Sequence, residues 1–154
     1  MGAGILPVAF NGISLMFLLG KEQNNLWSDF GGSPKTVHEP TFNTAVREGH
    51  EELNGLLGCE YKLSLKIKNN YLMKYYHDRY TTYLFKTDFD NNLPNYFNNN
   101  YNFIRNTTPF LINKDNGLYE KKEINWFTID EIYDLELRPF YKKIIFPIIE
   151  NPEK

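Results

Sequence analysis

A chain of 154 residues is the size of one ordinary domain, and it can bury a core large enough to fold without disulfide or metal cross-links. Hydrophobic residues make up 42% of the chain and aromatic residues 16%, which excludes an intrinsically disordered protein. The formal net charge of -2 argues against the broadly basic surface that non-specific nucleic-acid binding uses. Because Cys59 is the only cysteine, a disulfide framework and a cysteine-built zinc site are excluded, and we expect one domain over residues 1–154.

Two apolar stretches at the N-terminus are predicted to form a β-hairpin. Residues 3–10 and 13–20 are separated by Asn11-Gly12, a dipeptide that strongly favours a two-residue hairpin turn. Each stretch is too short to span a bilayer, and no basic segment or small-residue cleavage site marks a signal peptide. We therefore expect no membrane attachment, and a protein that acts in the cytoplasm or another intracellular compartment.

The next segment is predicted to contain a short strand, a glycine turn and a helix. The stretch NNLWSDFGG, residues 24–32, indicates a strand that ends in the glycine turn. Pro40 is typical of a first helical turn, and Asn54-Gly55 is typical of a left-handed helix stop. The helix is therefore predicted over about residues 40–53. Its apolar face is formed at the helical spacing by Phe42, Ala45, Val46, Gly49 and Leu53.

The middle of the chain is predicted to contain three strands and an insertion. The stretch EYKLSLKIK, residues 60–68, alternates strongly and indicates a strand. Residues 72–88 indicate two further strands, joined tightly near His77-Asp78-Arg79. The segment at about 88–116 is rich in Asn, Tyr and Phe, and we expect an insertion with a short helix because a structureless loop of that length is unusual.

The last part of the chain is predicted to form a strand and a terminal helix. KKEINWF, residues 121–127, indicates the strand, and Thr128 with Glu131 matches a capping box. RPFYKKIIFPII, residues 138–149, indicates a helix that is interrupted or ended at Pro147. Strands and helices thus alternate irregularly around one core, with a sheet that is mixed or partly antiparallel.

The predicted helix at 40–53 carries an unusual density of negative charge. At ~100° per residue, Glu48, Glu51 and Glu52 share one side of this helix, apart from its apolar face. Carboxylates so close together repel each other. Hard divalent cations such as Mg²⁺ prefer oxygen ligands and leave coordination positions for water and substrate phosphates. The spacing therefore favours a divalent-cation site at the edge of a cleft, and a solvated acidic helix face is the alternative.

The stretch from Gly32 to Gly55 resembles the Nudix box, which places a glycine, a glutamate, an Arg-Glu pair and a Glu-Glu pair at fixed spacing. The flanking stretches are similar to the usual Nudix layout, so the resemblance covers most of the chain outside residues 88–116. The residues that match in identity and spacing are Glu39, Arg47, Glu48, Glu51 and Glu52.

Three positions depart from the Nudix pattern. Six residues, instead of five, separate Gly32 from Glu39. Gly49 stands where an apolar side chain is usual, and Asn54-Gly55 replaces a glycine followed by an apolar residue. None of these changes removes an acid. A glycine within a helix costs only ~1 kcal/mol relative to alanine, and asparagine tolerates the left-handed conformation.

The resemblance implies an α/β class of fold, an α/β/α sandwich with a mixed β-sheet. It also implies a Mg²⁺-dependent hydrolase, with Mn²⁺ as an alternative cation, that acts on phosphorus anhydride bonds. Such an enzyme cleaves the diphosphate linkage of a nucleoside diphosphate linked to another group. Its partner would be a nucleotide-type small molecule, and because Nudix enzymes are often dimers, a homodimer is one expected assembly.

The resemblance also implies roles for individual residues. Arg47 would belong to the catalytic set by orienting Glu48, rather than by touching the substrate. Gly32 and Glu39 would have structural roles in the loop and at the start of the helix. The implied cation ligands are the carboxylates of Glu48, Glu51 and Glu52 and the carbonyl of Gly31.

The general base and the substrate contacts are less defined by the sequence. The base is Glu48 or Glu52 on the helix, or a distal acid before the last strand, where Glu120 and Glu123 are candidates. An exposed acid beside lysines is the alternative for both distal residues. Candidate substrate-binding residues are Lys35 and Arg79 for phosphates and Tyr76 for base stacking, against the alternatives of solvated cations and a core aromatic side chain.

Two further functions are compatible with the motif. An mRNA-decapping Nudix enzyme would need an RNA groove, which the 88–116 insertion with Arg105 and Lys114 would line, although the acidic balance disfavours tight RNA binding. A degenerate, non-catalytic Nudix domain would bind nucleotide or a protein partner without turnover. The intact acids oppose this alternative, because a binding module has little reason to keep mutually repelling carboxylates at ligand spacing.

Overall fold

The computed structural model describes residues 1–112 and 118–151, which form seven strands and five α-helices. Residues 113–116 of the predicted insertion, Lys114 among them, lie outside the described residues. The strands are β1 (Gly2–Asn11), β2 (Ser14–Glu22), β3 (Trp27–Ser28), β4 (Phe30–Gly32), β5 (Tyr71–His77), β6 (Tyr80–Lys86) and β7 (Lys121–Thr128). The helices are α1 (Thr41–Glu52), α2 (Glu60–Asn69), α3 (Leu93–Thr107), α4 (Ile129–Tyr133) and α5 (Pro139–Glu150).

One mixed sheet organises these elements, as predicted. Its main path runs in the order β3, β2, β1, β6, β5, while β4 pairs with β1 and β7 pairs with β2. The pairing of β1 with β6 is parallel, and every other strand pairing in the described residues is antiparallel. Strand β1 lies at the centre and is buried from Ala3 to Ala9, which explains its nearly continuous apolar sequence.

Helices cover both faces of the sheet. One core joins α1, α2 and α3 to alternate residues of β1 such as Ala3 and Ile5. The other core joins α4 and α5 to the intervening residues Leu6 and Val8. Because successive side chains of a strand point to opposite faces, β1 contributes to both cores. The architecture is therefore the expected α/β/α sandwich.

Residues 60–68 correct one prediction, because they form helix α2 instead of a strand. Leu63, Leu65 and Ile67 alternate as a strand would, but Leu63 and Ile67 are also four residues apart, as on one helix face. Both are fully buried in the core beside β6, whereas Leu65 is exposed. The pattern fits both periods, and packing against the sheet selects the helical one.

The predicted glycine turn is wrong, because Gly31 and Gly32 belong to strand β4 and pair with β1. The other turn and capping predictions agree with the structure. The Asn11-Gly12 turn joins β1 to β2, and Gly12 has a positive φ of 64°. Asp78 and Arg79 adopt left-handed conformations at the predicted tight turn between β5 and β6. The capping box of Thr128 with Glu131 is confirmed at the start of α4, and helix α3 confirms the helix expected after residue 88.

Helix α5 was predicted to be interrupted or to end at Pro147, and the structure differs at this residue. It contains Pro147 and continues to Glu150. Proline removes one backbone hydrogen bond, but the isoleucines on both sides of it are buried against the sheet. Burial of Ile144, Ile145, Ile148 and Ile149 therefore holds the helix through the proline. Among the described residues, no helix is long and apolar enough to cross a membrane.

Gly49, one of the departures from the Nudix pattern, has a packing explanation. A Cβ atom at this position would lie 2.5 Å from Cδ1 and 2.7 Å from Cγ1 of Ile5. The space that an apolar side chain on α1 would occupy is therefore filled from β1 by Ile5, which is fully buried.

Replacing Gly49 by alanine is expected to lower the free energy of unfolding by about 1–2 kcal/mol. Overpacking against Ile5 outweighs the ~1 kcal/mol that alanine gains in a helix interior. Denaturant unfolding of Gly49→Ala in the wild-type and Ile5→Ala backgrounds measures this coupling. In the Ile5→Ala background the same change is expected to stabilise the protein, and an equal cost in both backgrounds would contradict the packing explanation.

Candidate active site

The loop before α1 is joined to the helix through Arg47. The guanidinium donates to Glu39 in bidentate fashion, with Nε 3.0 Å from Oε2 and Nη2 2.8 Å from Oε1. Nη2 also donates to the carbonyl of Ser33 at 3.0 Å. The carboxylate of Glu39 further accepts from the Thr44 hydroxyl at 2.7 Å and the Lys35 amide at 3.0 Å. These bonds support the structural role expected for Glu39. They also hold the six-residue loop at residues 33–38, through Ser33 and Lys35, against Arg47 and Glu39.

The hydrogen bonds from Arg47 lower the pKa of Glu39 from 4.5 to about 2. A carboxyl whose pKa is lower in the folded state stabilises the protein above its unfolded pKa. That contribution is lost as the pH falls from about 4.5 towards about 2.

Glu39→Gln is therefore expected to lower the free energy of unfolding by about 1–2 kcal/mol at pH 7 and to flatten its decline between pH 5 and 2. Denaturant unfolding at several pH values measures both effects. The exposed Glu136→Gln serves as the control. Parallel pH profiles for Glu39→Gln and the wild type would contradict this origin of acid sensitivity.

The same guanidinium holds the next two acids. Nη1 of Arg47 lies 3.0 Å from Oε1 of Glu48 and 3.6 Å from Oε2 of Glu51. Glu48 packs directly on Gly32, where an added Cβ would lie 2.6 Å from the Glu48 carboxyl carbon. A side chain at position 32 would displace the Glu48 carboxyl group from this position. Burial raises the pKa of both Glu48 and Glu51, although the charge of Arg47 opposes the shift.

Glu52 is the most enclosed of the acids, with a residue exposure of 4%. Its Oε1 accepts a hydrogen bond of 2.7 Å from the Gly31 amide. The carboxyl group of Glu120, just before β7, lies close enough to interact with that of Glu52. Burial raises the pKa of Glu52 well above its ordinary value, and Glu120 adds to the shift, while the charge of Lys121 opposes it. The structure thus brings a distal acid to the helix.

Carboxylate oxygens are suitable ligands for a divalent cation, but these side chains do not point to one common position. No group of three Asp, Glu, His or Cys side chains in the described residues is close enough together to hold a metal ion. Glu48 and Glu51 face Arg47, whereas Glu52 faces Gly31 and Glu120. Burial raises the pKa of all three acids, and a hard cation among them would favour their ionised form.

A cavity of about 270 Å³ adjoins this region. The Gly31-Gly32 segment, which contacts Glu52 and Glu48, forms part of its wall. Arg79, a predicted substrate-binding residue, also lines it. The sequence did not identify Arg138 and Phe140, which enter the wall from the start of α5. Arg138 and Phe140 follow the last strand, and no motif or regular spacing in the sequence connects them with the acids of α1.

A polar network in the wall of this cavity was also missed by the sequence analysis. Asp29 accepts hydrogen bonds of 2.8 Å from the hydroxyl of Tyr80 and 2.8 Å from that of Thr82. Burial raises its pKa to about 6, against the effect of these bonds. Lys121 is 1% exposed and donates to the Ser28 hydroxyl at 2.7 Å. The sequence signal that could have revealed this network is the presence of two charged residues, Asp29 and Lys121, within predicted strands.

Three predicted residues lie elsewhere. Glu123 forms an ion pair of 3.3 Å with Lys21 and lines a different cavity, so it is not brought to the helix acids. Lys35 lines a depression beside Glu39 at the start of α1. Tyr76 is 64% exposed on the edge strand β5 and does not line the 270 Å³ cavity. Of the two distal acids, only Glu120 meets the helix.

No protein-family model and no curated protein matches this chain. Solved structures do match it. A C. elegans Ap4A hydrolase in a binary complex is 14% identical, with a TM-score of 0.55 over 94% of this chain and 89% of that chain. A mutT/nudix family protein from Listeria innocua is 17% identical, with a TM-score of 0.52 over 97% of this chain and 94% of that chain.

The NUDIX domain of Shewanella oneidensis NrtR, in complex with ADP ribose, is 11% identical. Its TM-score is 0.52 over 97% of this chain and 86% of that chain. At such identities the similarity concerns the path of the backbone and not the chemistry. The matches span nearly the whole of each chain and agree with the motif from Gly32 to Gly55. This chain has the Nudix fold.

Proposed function

We propose that this chain is a Mg²⁺-dependent Nudix hydrolase that cleaves the diphosphate linkage of a nucleoside diphosphate linked to another group. The observation that supports this most directly is the buried Glu52 in contact with Glu120, beside the acids held by Arg47. Burying the Glu52 carboxyl group beside a second acid, the exposed Glu120, is costly for the fold, and catalysis with a cation is a reason to keep it.

In this proposal Glu48, Glu51 and Glu52 hold the cation, Mg²⁺ or Mn²⁺, together with the carbonyl of Gly31. A bound divalent cation lowers the pKa of its water and neutralises charge on the phosphates. Arg47 acts as a positioning residue, because its Nη1 contacts Glu48 and Glu51 at once.

The general base is an acid close to the cation ligands. Glu120 fits this role better than Glu123, because it contacts Glu52 while Glu123 is paired with Lys21. Glu48 and Glu52 remain the alternatives on the helix. A general base must lie within hydrogen-bonding reach of the attacking water. Glu120 directly precedes β7, so it approaches the acids of α1 from a different element.

The substrate is proposed to enter the 270 Å³ cavity beside Gly31-Gly32. Arg79 and Arg138 offer guanidinium donors for phosphate oxygens, and Phe140 offers an aromatic wall for a base or sugar. Phe140 packs against Tyr80 in this wall, as a T-shaped pair with ring centroids 5.8 Å apart. Arg79 remains a candidate for binding the substrate, because it lines this cavity.

The experiment is a hydrolysis screen with Mg²⁺ and with Mn²⁺, using the wild type and Glu52→Gln. The panel holds nucleoside triphosphates including oxidised ones, dinucleoside polyphosphates, nucleotide sugars, ADP-ribose and capped RNA. Turnover of one class by the wild type alone is expected and would identify the substrate. Absence of turnover together with absence of Mg²⁺ binding in calorimetry would overturn the proposal.

A non-catalytic nucleotide-binding domain is the second candidate. It is favoured by the lack of a preformed group of three ligands in the described residues and by the irregular box. It requires that nucleotides bind with equal affinity to the wild type and to Glu52→Gln, and that no product forms with either. An RNA-decapping activity would appear in the capped-RNA arm of the same screen.

A further inference from the structure

A second polar cavity, of about 390 Å³, lies between helix α3 and the edge formed by β2 and β7. Three cationic side chains line it, Lys21, Arg105 and Lys122, together with the carboxylate of Glu123. The amides of Asn98 and Asn102 complete the polar lining. Three positive charges against one negative charge leave two in excess, in a chain whose net charge is -2.

The excess charge belongs to Arg105 and Lys122. Lys21 is already engaged, since it pairs with Glu123 at 3.3 Å and lies 5.4 Å from the centre of the Trp27 ring. Within the described residues, neither Arg105 nor Lys122 forms an ion pair or a hydrogen bond through its side chain. Arg105 is also favoured by its place in the last turn of α3, but the helix dipole does not explain why Lys122 lines the same cavity.

The cavity is held in shape by one amide. Asn98 accepts from the Ile124 amide at 2.9 Å and donates to the Ile124 carbonyl at 3.2 Å. Among the described strands β7 pairs only with β2, so Asn98 satisfies backbone groups on the free edge of β7. Helix α3 is thereby fixed on the strand, and Arg105 and Lys122 are presented from two rigid elements.

The cavity is linked to the proposed active site through Gln23. The side-chain amide of Gln23 donates to the hydroxyl of Tyr101, a residue that lines the cavity, at 3.0 Å and to the Glu120 carbonyl at 3.4 Å. Lys122 follows Glu120 by two residues. A phosphate chain held at the carboxylates would therefore extend towards Arg105 and Lys122.

We propose that this cavity binds a substrate phosphate that lies outside the scissile diphosphate. Guanidinium, ammonium and amide donors are the groups that recognise phosphate oxygens. The proposal rests on the proposed function and narrows its substrate class. Substrates with a polyphosphate chain or a phosphodiester extension are favoured over ADP-ribose and nucleotide sugars, which offer no additional phosphate.

The test compares the double variant Arg105→Gln/Lys122→Gln with the matched control Lys142→Gln/Lys143→Gln on the exposed face of α5. Calorimetry with inorganic tripolyphosphate in EDTA measures anion binding without any turnover. The cavity variant is expected to bind at least about tenfold more weakly than the wild type, and the control within about twofold. Equal affinity in the wild type and the cavity variant, or equal loss in both variants, would overturn the proposal.

Kinetics then identify the source of the phosphate. The cavity variant is expected to raise KM about tenfold, with little change in kcat, for diadenosine tetraphosphate or for a capped oligoribonucleotide, and to leave ADP-ribose unaffected. A raised KM for diadenosine tetraphosphate supports a polyphosphate chain as the source of the phosphate. A raised KM for the capped oligoribonucleotide supports a phosphodiester. Tripolyphosphate binding that depends on the cavity, with no turnover of any substrate, would count against the proposed function and leave the anion site standing.

Discussion

Replacing Glu52 by glutamine is expected to lower the rate of hydrolysis by at least about 10³-fold while making the metal-free protein more stable. The activity falls because an amide is a poor ligand for a hard cation. The fold survives because glutamine satisfies both neighbours of Glu52. Its amide oxygen can accept from the Gly31 amide, and its amide nitrogen can donate to the Glu120 carboxylate.

The stability gain has a definite dependence on pH. Burial raises the pKa of Glu52, so its ionisation destabilises the folded state as the pH rises above the ordinary value of 4.5. Glutamine does not ionise. In EDTA, Glu52→Gln is therefore expected to exceed the wild type by about 1–2 kcal/mol near pH 8 and by much less near pH 4.

Thermal and denaturant unfolding of both proteins, with EDTA and with Mg²⁺, measures this trade-off. Mg²⁺ is expected to raise the unfolding temperature of the wild type and to have little effect on Glu52→Gln. Glu60→Gln, an exposed acid at the start of α2, is the matched control. Full activity of Glu52→Gln, or equal stabilisation of both proteins by Mg²⁺, would remove Glu52 from the cation site.

Replacing Arg47 by methionine is expected to have the largest cost in stability, about 3–5 kcal/mol. Arg47 is 9% exposed, and its guanidinium contacts Glu39, Glu48 and Glu51. Methionine keeps most of the apolar stem but leaves these carboxylates without their positive charge. For a domain of this size the unfolding temperature is expected to fall by about 10 °C.

Arg47→Lys separates charge from geometry. Lysine retains the positive charge but lacks the planar fork that reaches both oxygens of Glu39 and the Ser33 carbonyl, so an intermediate loss is expected. Denaturant unfolding of both variants, alone and combined with Glu39→Gln, measures the coupling. Wild-type stability of Arg47→Met, or strict additivity with Glu39→Gln, would show that the network does not hold the helix start.

Local features of the chain were predictable wherever a few neighbouring residues decide the conformation. The Asn11-Gly12 turn and the capping box at Thr128 depend on backbone preferences and bonds within four residues. Helix α1 was expected at about 40–53 and occupies Thr41–Glu52, because its apolar and acidic residues separate onto different sides at one period only. The spacing also placed Glu48, Glu51 and Glu52 on this one helix, but it did not show that Glu48 and Glu51 face Arg47 whereas Glu52 faces Gly31.

Helix α2 was not predictable in this way. The apolar residues of 60–68 satisfy the period of a strand and, through Leu63 and Ile67, the spacing of a helix. Nothing within the segment decides between the two. The buried face of β6 decides, because it needs a cover that a helix provides.

The acid-bearing helix and the hairpin turns follow from the sequence alone, since each depends on residues a few positions apart. Tertiary packing is needed to place Glu120 near Glu52 and to pair Glu123 with Lys21. Packing also fills the space above Gly49 with Ile5 and places Arg105 of α3 and Lys122 of β7 in the wall of one cavity. These contacts link residues that are 17 or more positions apart in the chain, so they depend on how the elements pack and not on any local pattern.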